Sequence, residues 1–231
     1  MGIFYSDRPG PGIEKDAPSA KGLRQFFQIL FREFFSLIKV SCLFLLFSLP
    51  VITFPAAYCA MTRITASMVR DRPYFLCSDF WNTFRTEFKK ATAAGLLVFG
   101  SLVAALIAVW FYCDRVERNF LYCLPAGIAG MGAVILTFAI FSLFPMIALL
   151  DLPLKHVLKN ALLLAAMSYI NFIPALVVCV FILLSALWFF PISLPLLLLV
   201  CPALLNLITT FCAYGRIERY VLAQGAEPEE M

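Results

Sequence analysis

The chain has 231 residues, 62% of them hydrophobic and 14% charged, with a mean hydropathy of +0.91. A soluble domain is about half apolar and a quarter charged, so no soluble core of this length could hide the surplus, and the composition is that of a polytopic membrane protein with spans of about 20 apolar residues. The net charge of +4, from 18 Lys and Arg against 14 Asp and Glu, is spread between the apolar runs, which sets membrane orientation and points away from a nucleic-acid partner.

Residues 1–25 form a polar tail in which Pro9-Gly10-Pro11-Gly12 resists helix and strand alike. No signal peptide is recognisable there, so the first membrane helix is expected to be its own targeting signal. The opening also fits the N-myristoylation pattern, with Gly2 and Ser6 in place, but an acyl chain adds nothing obvious to a protein held by several helices. A helical membrane domain is expected over 26–223, followed by an acidic tail, 224–231.

The first helix begins amphipathic at Phe26 and becomes wholly apolar after Lys39, until Pro50 ends or kinks it. Pro50 and Pro55 lie within an uncharged run, 40–62, that is either one kinked span or a tight helical hairpin. A second helix, 56–69, follows. Its 14 residues cover only about 21 Å of a core about 30 Å thick, so on length it is a partial or re-entrant limb.

Residues 78–90 read as an amphipathic helix at the cytosolic membrane surface, begun by an Asp79 cap. Phe80, Trp81, Phe84 and Phe88 form one face, suited to membrane anchoring or to a docking partner, with Arg85 and Lys89 on the other. The uncharged runs 91–113 and 120–150 are each long enough to span, and 161–214 requires two spans with a turn near 190–195. The expected fold is therefore all-α: a transmembrane bundle of five to six membrane helices, including the short Pro-bounded second limb, plus the interfacial helix.

Little chemistry is encoded. The eight cysteines contain no Cys-x-x-Cys pair, and the single histidine, His156, sits in a polar connection without metal-ligand company. Cys113 and Cys123 flank a polar loop and could form a disulfide only if that loop faced an oxidising space. Gly127, Gly130 and Gly132 match no phosphate-binding loop, and close helix packing is their expected role. No catalytic, cofactor or metal residue is assigned, and no enzymatic activity is expected. Between residues 91 and 214 the apolar runs carry no ionisable carboxylate or cation of the sort that marks a proton path. Lys39 and Arg63 are the two candidates for an intramembrane polar role.

Orientation follows from the cations. If 50–55 is an outer turn and 56–69 returns the chain inward, sixteen Lys and Arg fall on the cytosolic side and only Arg115 and Arg118 outside. A single kinked span would put six of the sixteen outside, so the positive-inside rule selects the hairpin with both termini cytosolic.

Several segments resemble the YesL family of bacterial integral membrane proteins, a domain-of-unknown-function family (number 624). They are Met1-Gly2-Ile3-Phe4 with Pro9-Gly10-Pro11-Gly12, Phe47-Ser48-Leu49-Pro50-Val51-Ile52-Thr53, Ser78-Asp79-Phe80 followed by Phe84 and Phe88-Lys89, and Tyr214-Gly215-Arg216. Where the family pattern has Gly after Ile-Thr, this chain has Phe54. The resemblance implies a small multi-helix protein of the bacterial inner membrane, encoded near carbohydrate-uptake genes, with no known reaction. The expected role is a non-enzymatic partner of ABC-type sugar transporter subunits. The alternative is a transporter or permease subunit for a small solute such as an oligosaccharide, but 154–164 lacks the Glu-Ala-Ala loop by which ABC permeases meet their ATPase.

Overall fold

The computed structural model describes residues 23–116, 120–150, 153–167, 169–188 and 194–217. Among them every regular element is helical. Helices α1 (Leu23–Arg32) and α2 (Phe34–Ser48) are nearly continuous, and a short 3-10 turn, Val51–Thr53, joins α2 to α3 (Phe54–Val69). The turn is built by its prolines. Pro50 cannot continue α2, while Pro55 falls in the first turn of α3, where no N–H partner is needed. Thr53 completes it by donating its hydroxyl to the carbonyls of Phe47, at 2.6 Å, and Pro50, at 2.7 Å, which satisfies a carbonyl that the end of α2 leaves free.

The run 40–62 is thus a hairpin. Ring contacts of Phe44 with Phe54 and Tyr58 hold its upper part, and Arg32 donates to Asp71 at 2.7 Å across its open end. Asp71 adopts a left-handed conformation, φ 52°, which a short polar side chain tolerates at a helix end. Beside it the Tyr74 hydroxyl donates to Glu33 at 2.5 Å. Burial, then this bond, raises the Tyr74 pKa, so the contact contributes stability at neutral pH and loses it only in alkali above the usual tyrosine range.

Helix α4 (Leu76–Thr86) breaks at Glu87 and is followed by α5 (Phe88–Val116). It starts two residues before the expected Ser78, with Asp79 reaching back to accept the Phe75 N–H at 2.8 Å. Helix α6 (Cys123–Leu149) returns along α5. By length and apolarity α5, and α6 with the turn before it, are the two described helices able to cross a membrane. α7 (Leu154–Met167) and α8 (Tyr169–Trp188) would count as a third only as one span bent by 93°. Short α9 (Leu194–Leu199) and α10 (Cys201–Ile217) complete the bundle. The expected turn near 190–195 and the acidic tail lie largely or wholly outside the described residues.

Helix α3 is the hub. Twelve of its sixteen residues are buried, many of them Ala or Thr, small enough to bring neighbouring backbones close. Its level in the bundle is fixed by α5 and α6. Pro55 lies against Gly95, Phe54 against Phe99, Tyr58 against Phe144, and Arg63 at Ala148. The hairpin turn therefore sits beside the middle of α5. From Phe99 the helix runs on for 17 residues to Val116, about 26 Å at 1.5 Å per residue. This corrects the outer turn expected from the charge tally: the chain does return to its starting face, but the limb is as partial as its length implied.

The outer halves of α5 and α6 consequently have few partners in the chain. Only 17% of the most apolar stretch of α5 is buried, and Ile107, Trp110, Leu124 and Ile128 are exposed. The packing expected for Gly127, Gly130 and Gly132 is absent, since a Cβ at any of them would meet nothing within 4 Å. Cys113 and Cys123 are exposed and unbonded, and Lys155, His156 and Lys159 sit on the first two turns of α7 rather than in a loop.

Candidate functional site

The buried polar groups collect between α3 and α10. Asn206 donates from Nδ2 to Thr62 Oγ1 at 2.8 Å, and Thr62 donates onward to the Tyr58 carbonyl at 2.8 Å. The Asn206 Oδ1 accepts from Thr65 at 2.6 Å and from Thr210 at 3.3 Å. Thr62, Thr65, Asn206 and Thr210 are fully buried. Thr209 donates to the Asn206 carbonyl at 3.0 Å, and the Tyr58 side chain reaches Thr209 and Asn206 as well. In an apolar surround these groups are costly unless paired, so the cluster acts as a clasp that fixes the register of α3 on α10.

A second clasp secures the start of α10. Pro202 has no N–H to leave unsatisfied, and the next donor, Ala203 N, is accepted by the buried Ser41 Oγ of α2 at 3.1 Å. The hairpin thus holds α10 through both limbs. Ser142 Oγ on α6, also fully buried, has no hydrogen-bond partner among the described residues.

Toward the charged face, Arg63 donates to the Ala148 carbonyl at 2.5 Å. Ala148 lies in the last turn of α6, where carbonyls lack helical partners and the dipole favours a cation. Asn82, Thr83, Thr86 and Glu87 of the α4–α5 break line the same cavity, of about 200 Å³. Arg63 is therefore a C-terminal cap of α6, in a cavity that three segments line. We expect Arg63→Met to lower stability by about 1.5–3 kcal/mol, the range for a hydrogen bond to a charged group, with Arg63→Lys intermediate. Thermal loss of the monodisperse species in detergent measures it, and an unchanged midpoint for Arg63→Met would refute the cap.

The other sequence-derived candidates separate. Phe80 is fully buried, and Phe84 and Phe88 are half-buried. The rings of Phe80, Trp81 and Phe84 converge on Phe47 of α2, at 5.6, 5.4 and 5.3 Å. Only Trp81 of the stripe is exposed, with the Arg85 guanidinium stacked 4.4 Å from its ring centre. The stripe is thus mainly a seam between α4 and the hairpin. Lys89 is exposed at the start of α5, and Lys39 is exposed on α2. The clasp was missed: Thr62, Thr65, Asn206 and Thr210 are uncharged, and a search for ionisable groups passes over them. Among the described residues no cluster of His, Cys, Asp or Glu could hold a metal.

Residues 37–110 match a family model described as "Protein of unknown function, DUF624". The chain is also 30% identical over 128 residues to "Uncharacterized protein YesV" of Bacillus subtilis (strain 168), a match that covers 55% of this chain and 60% of that protein. Together the two findings support a YesL/DUF624-type family, in agreement with the resemblance drawn from the motifs. No solved structure matches. The matched segment contains α3, the hairpin turn, α4 and most of α5, so it includes one side of the clasp and, of the corner around Arg63, the α3 and α4–α5 parts but not Ala148 of α6.

Proposed function

We propose that the chain is a multi-pass inner-membrane protein that acts without catalysis, as an accessory or assembly partner of a carbohydrate uptake system. The observation that carries the non-catalytic part is that the polar cluster between α3 and α10 and the Arg63 guanidinium are engaged within the fold. Asn206 and its threonines spend their hydrogen bonds on one another, and Arg63 on a helix end. Carbohydrate uptake is supported by the gene context that the family resemblance implies. Affinity capture of the tagged chain from its own bacterial membranes tests the reading. Copurification of permease and ATPase subunits is expected, and recovery of the chain alone would count against it.

One observation favours the alternative, a permease subunit for a small solute: α3 and α10 both begin inside the bundle, as the discontinuous helices of transporters do. Uptake of solute by vesicles holding only the purified chain would establish it.

The same reading has the charged face cytosolic. Arg32 on Asp71, Arg70 over Tyr214 at 5.6 Å and Arg63 on Ala148 gather the ends of α1, α3, α6 and α10 there. The connection between α5 and α6, after Arg115, is at the opposite end of those helices. Under the positive-inside rule both termini are then cytosolic. A reporter active only outside the cell, fused at residues 20, 117 and 225, should be active at 117 alone. Activity at 20 would reverse the placement.

A further inference from the structure

Above the clasp, on the side away from the charged face, lies a cavity of about 420 Å³ where α2, α3, α6, α8, α9 and α10 meet. Phe44, Phe54, Cys179, Val180 and Leu183 are among its walls. The only hydroxyls in its described lining belong to Tyr58 and Thr209, and both are engaged in the clasp. Its depth follows from the fold. Phe54 lies nine residues along α3 from Arg63, about 13 Å inward from the charged face, which is near the middle of a hydrocarbon core about 30 Å thick.

Four contents are possible, and three conflict with the lining. A buried water needs two to four polar partners, and the described walls offer only the Tyr58 and Thr209 hydroxyls, which already bond within the clasp. An empty space would deprive the surrounding Phe, Leu and Val side chains of contacts on one side. A sugar would leave its hydroxyls without partners for the same reason. Hydrocarbon meets none of these objections. The cavity also opens past Val180 and Leu183, which are both exposed on α8.

We infer that this cavity is a lipid site, filled by one acyl chain of a bilayer phospholipid that enters over α8 and ends against Tyr58 and Thr209. The site rests on the chain being inserted in a membrane, and it is independent of any carbohydrate partner. It also means that the cavity above the clasp is no route for a hydrated solute.

The test uses the full chain in phosphatidylethanolamine and phosphatidylglycerol vesicles that carry a trace of phosphatidylcholine with a photoactivatable diazirine midway along one acyl chain. After irradiation, adducts are mapped by peptide mass spectrometry. Adducts on Leu96, Ile107 and Trp110 of α5 report insertion alone. The proposal requires further adducts on Phe44, Tyr58 or Cys179, and Leu183→Trp, which fills the entrance, should lower these several-fold while leaving those on α5 unchanged. Adducts on α5 and on outward residues such as Phe181, with none inside, would overturn the lipid site while leaving insertion intact. As a second measurement on the unaltered chain, Cys179 in intact vesicles should resist a charged, membrane-impermeant maleimide. Its rapid alkylation would show a water-filled cavity and overturn the proposal.

Discussion

Replacing Gly95 with alanine is expected to destabilise the protein by about 1–3 kcal/mol, the range for overpacking a well-filled interior. A Cβ built there would lie 2.5 Å from Pro55 Cβ and 2.8 Å from Pro55 Cγ. Neither side can move readily, because Pro55 is a rigid ring in the first turn of α3 and Gly95 is held in α5. Helix propensity works in the opposite direction, favouring alanine over glycine by about 1 kcal/mol. Gly100, five residues further on and on another face of α5, is the control, since a Cβ there meets nothing within 4 Å. Gly100→Ala should therefore be neutral or mildly stabilising. Pro55→Gly removes both offending atoms, so Gly95→Ala should cost less in that background than in the parent. The readout is the temperature at which half of the monodisperse protein is lost in detergent. Equal midpoints for Gly95→Ala and Gly100→Ala would show that the hairpin does not reach α5 at this level.

Gly95 also shows where sequence reading succeeds and fails in this chain. The turn between Pro50 and Pro55 was legible because proline acts through its own ring and missing N–H, whatever surrounds it. The depth of that turn was not, because it depends on which glycine of α5 admits Pro55, and Gly95 looks no different in sequence from Gly127 or Gly130, where an added Cβ would meet nothing within 4 Å. Charge counting found the face to which the hairpin returns but carries no information on how far it travels. Length did carry it: a limb of 14 residues was too short to cross.

The aromatic stripe of α4 met a different limit. Period 3.6 places Phe80, Phe84 and Phe88 on one side of a helix, but in a membrane protein lipid tails and protein interior are equally apolar. Periodicity alone could not say that Phe47 would be the partner. Nor did any residue announce the 93° bend between α7 and α8. The nearest proline, Pro174, lies in the second turn of α8, and that helix continues through it. So early in a helix the missing proline N–H removes at most a single helical bond, that to Ile170, and a break there is not obligatory.

Asn206→Leu is expected to loosen α10 from α3, at a cost of about 1–3 kcal/mol. Hydrogen bonds between membrane helices contribute about 0.6 kcal/mol each on average, up to about 1.7, and this substitution removes the contacts of Asn206 with Thr62, Thr65 and Thr210 at once. Part of the loss is offset locally. Thr62 keeps its bond to the Tyr58 carbonyl at 2.8 Å, and Thr65 has the Thr62 carbonyl within 3.1 Å. Those fallback partners are why the cost stays well below that of an orphaned buried polar group at each position. Thr62→Val alone leaves one Asn206 N–H without its acceptor, whereas Thr62→Val with Asn206→Leu removes both partners, so the double variant should be more stable than the sum of the single losses predicts. The reporter fusions at 20, 117 and 225 should read the same in Asn206→Leu as in the parent, because the cations that set orientation are untouched. Unchanged thermal midpoints for both single variants would mean that the buried threonines and Asn206 do not hold α3 and α10 together. A changed reporter pattern would mean that the clasp helps to decide on which side of the membrane α10 ends.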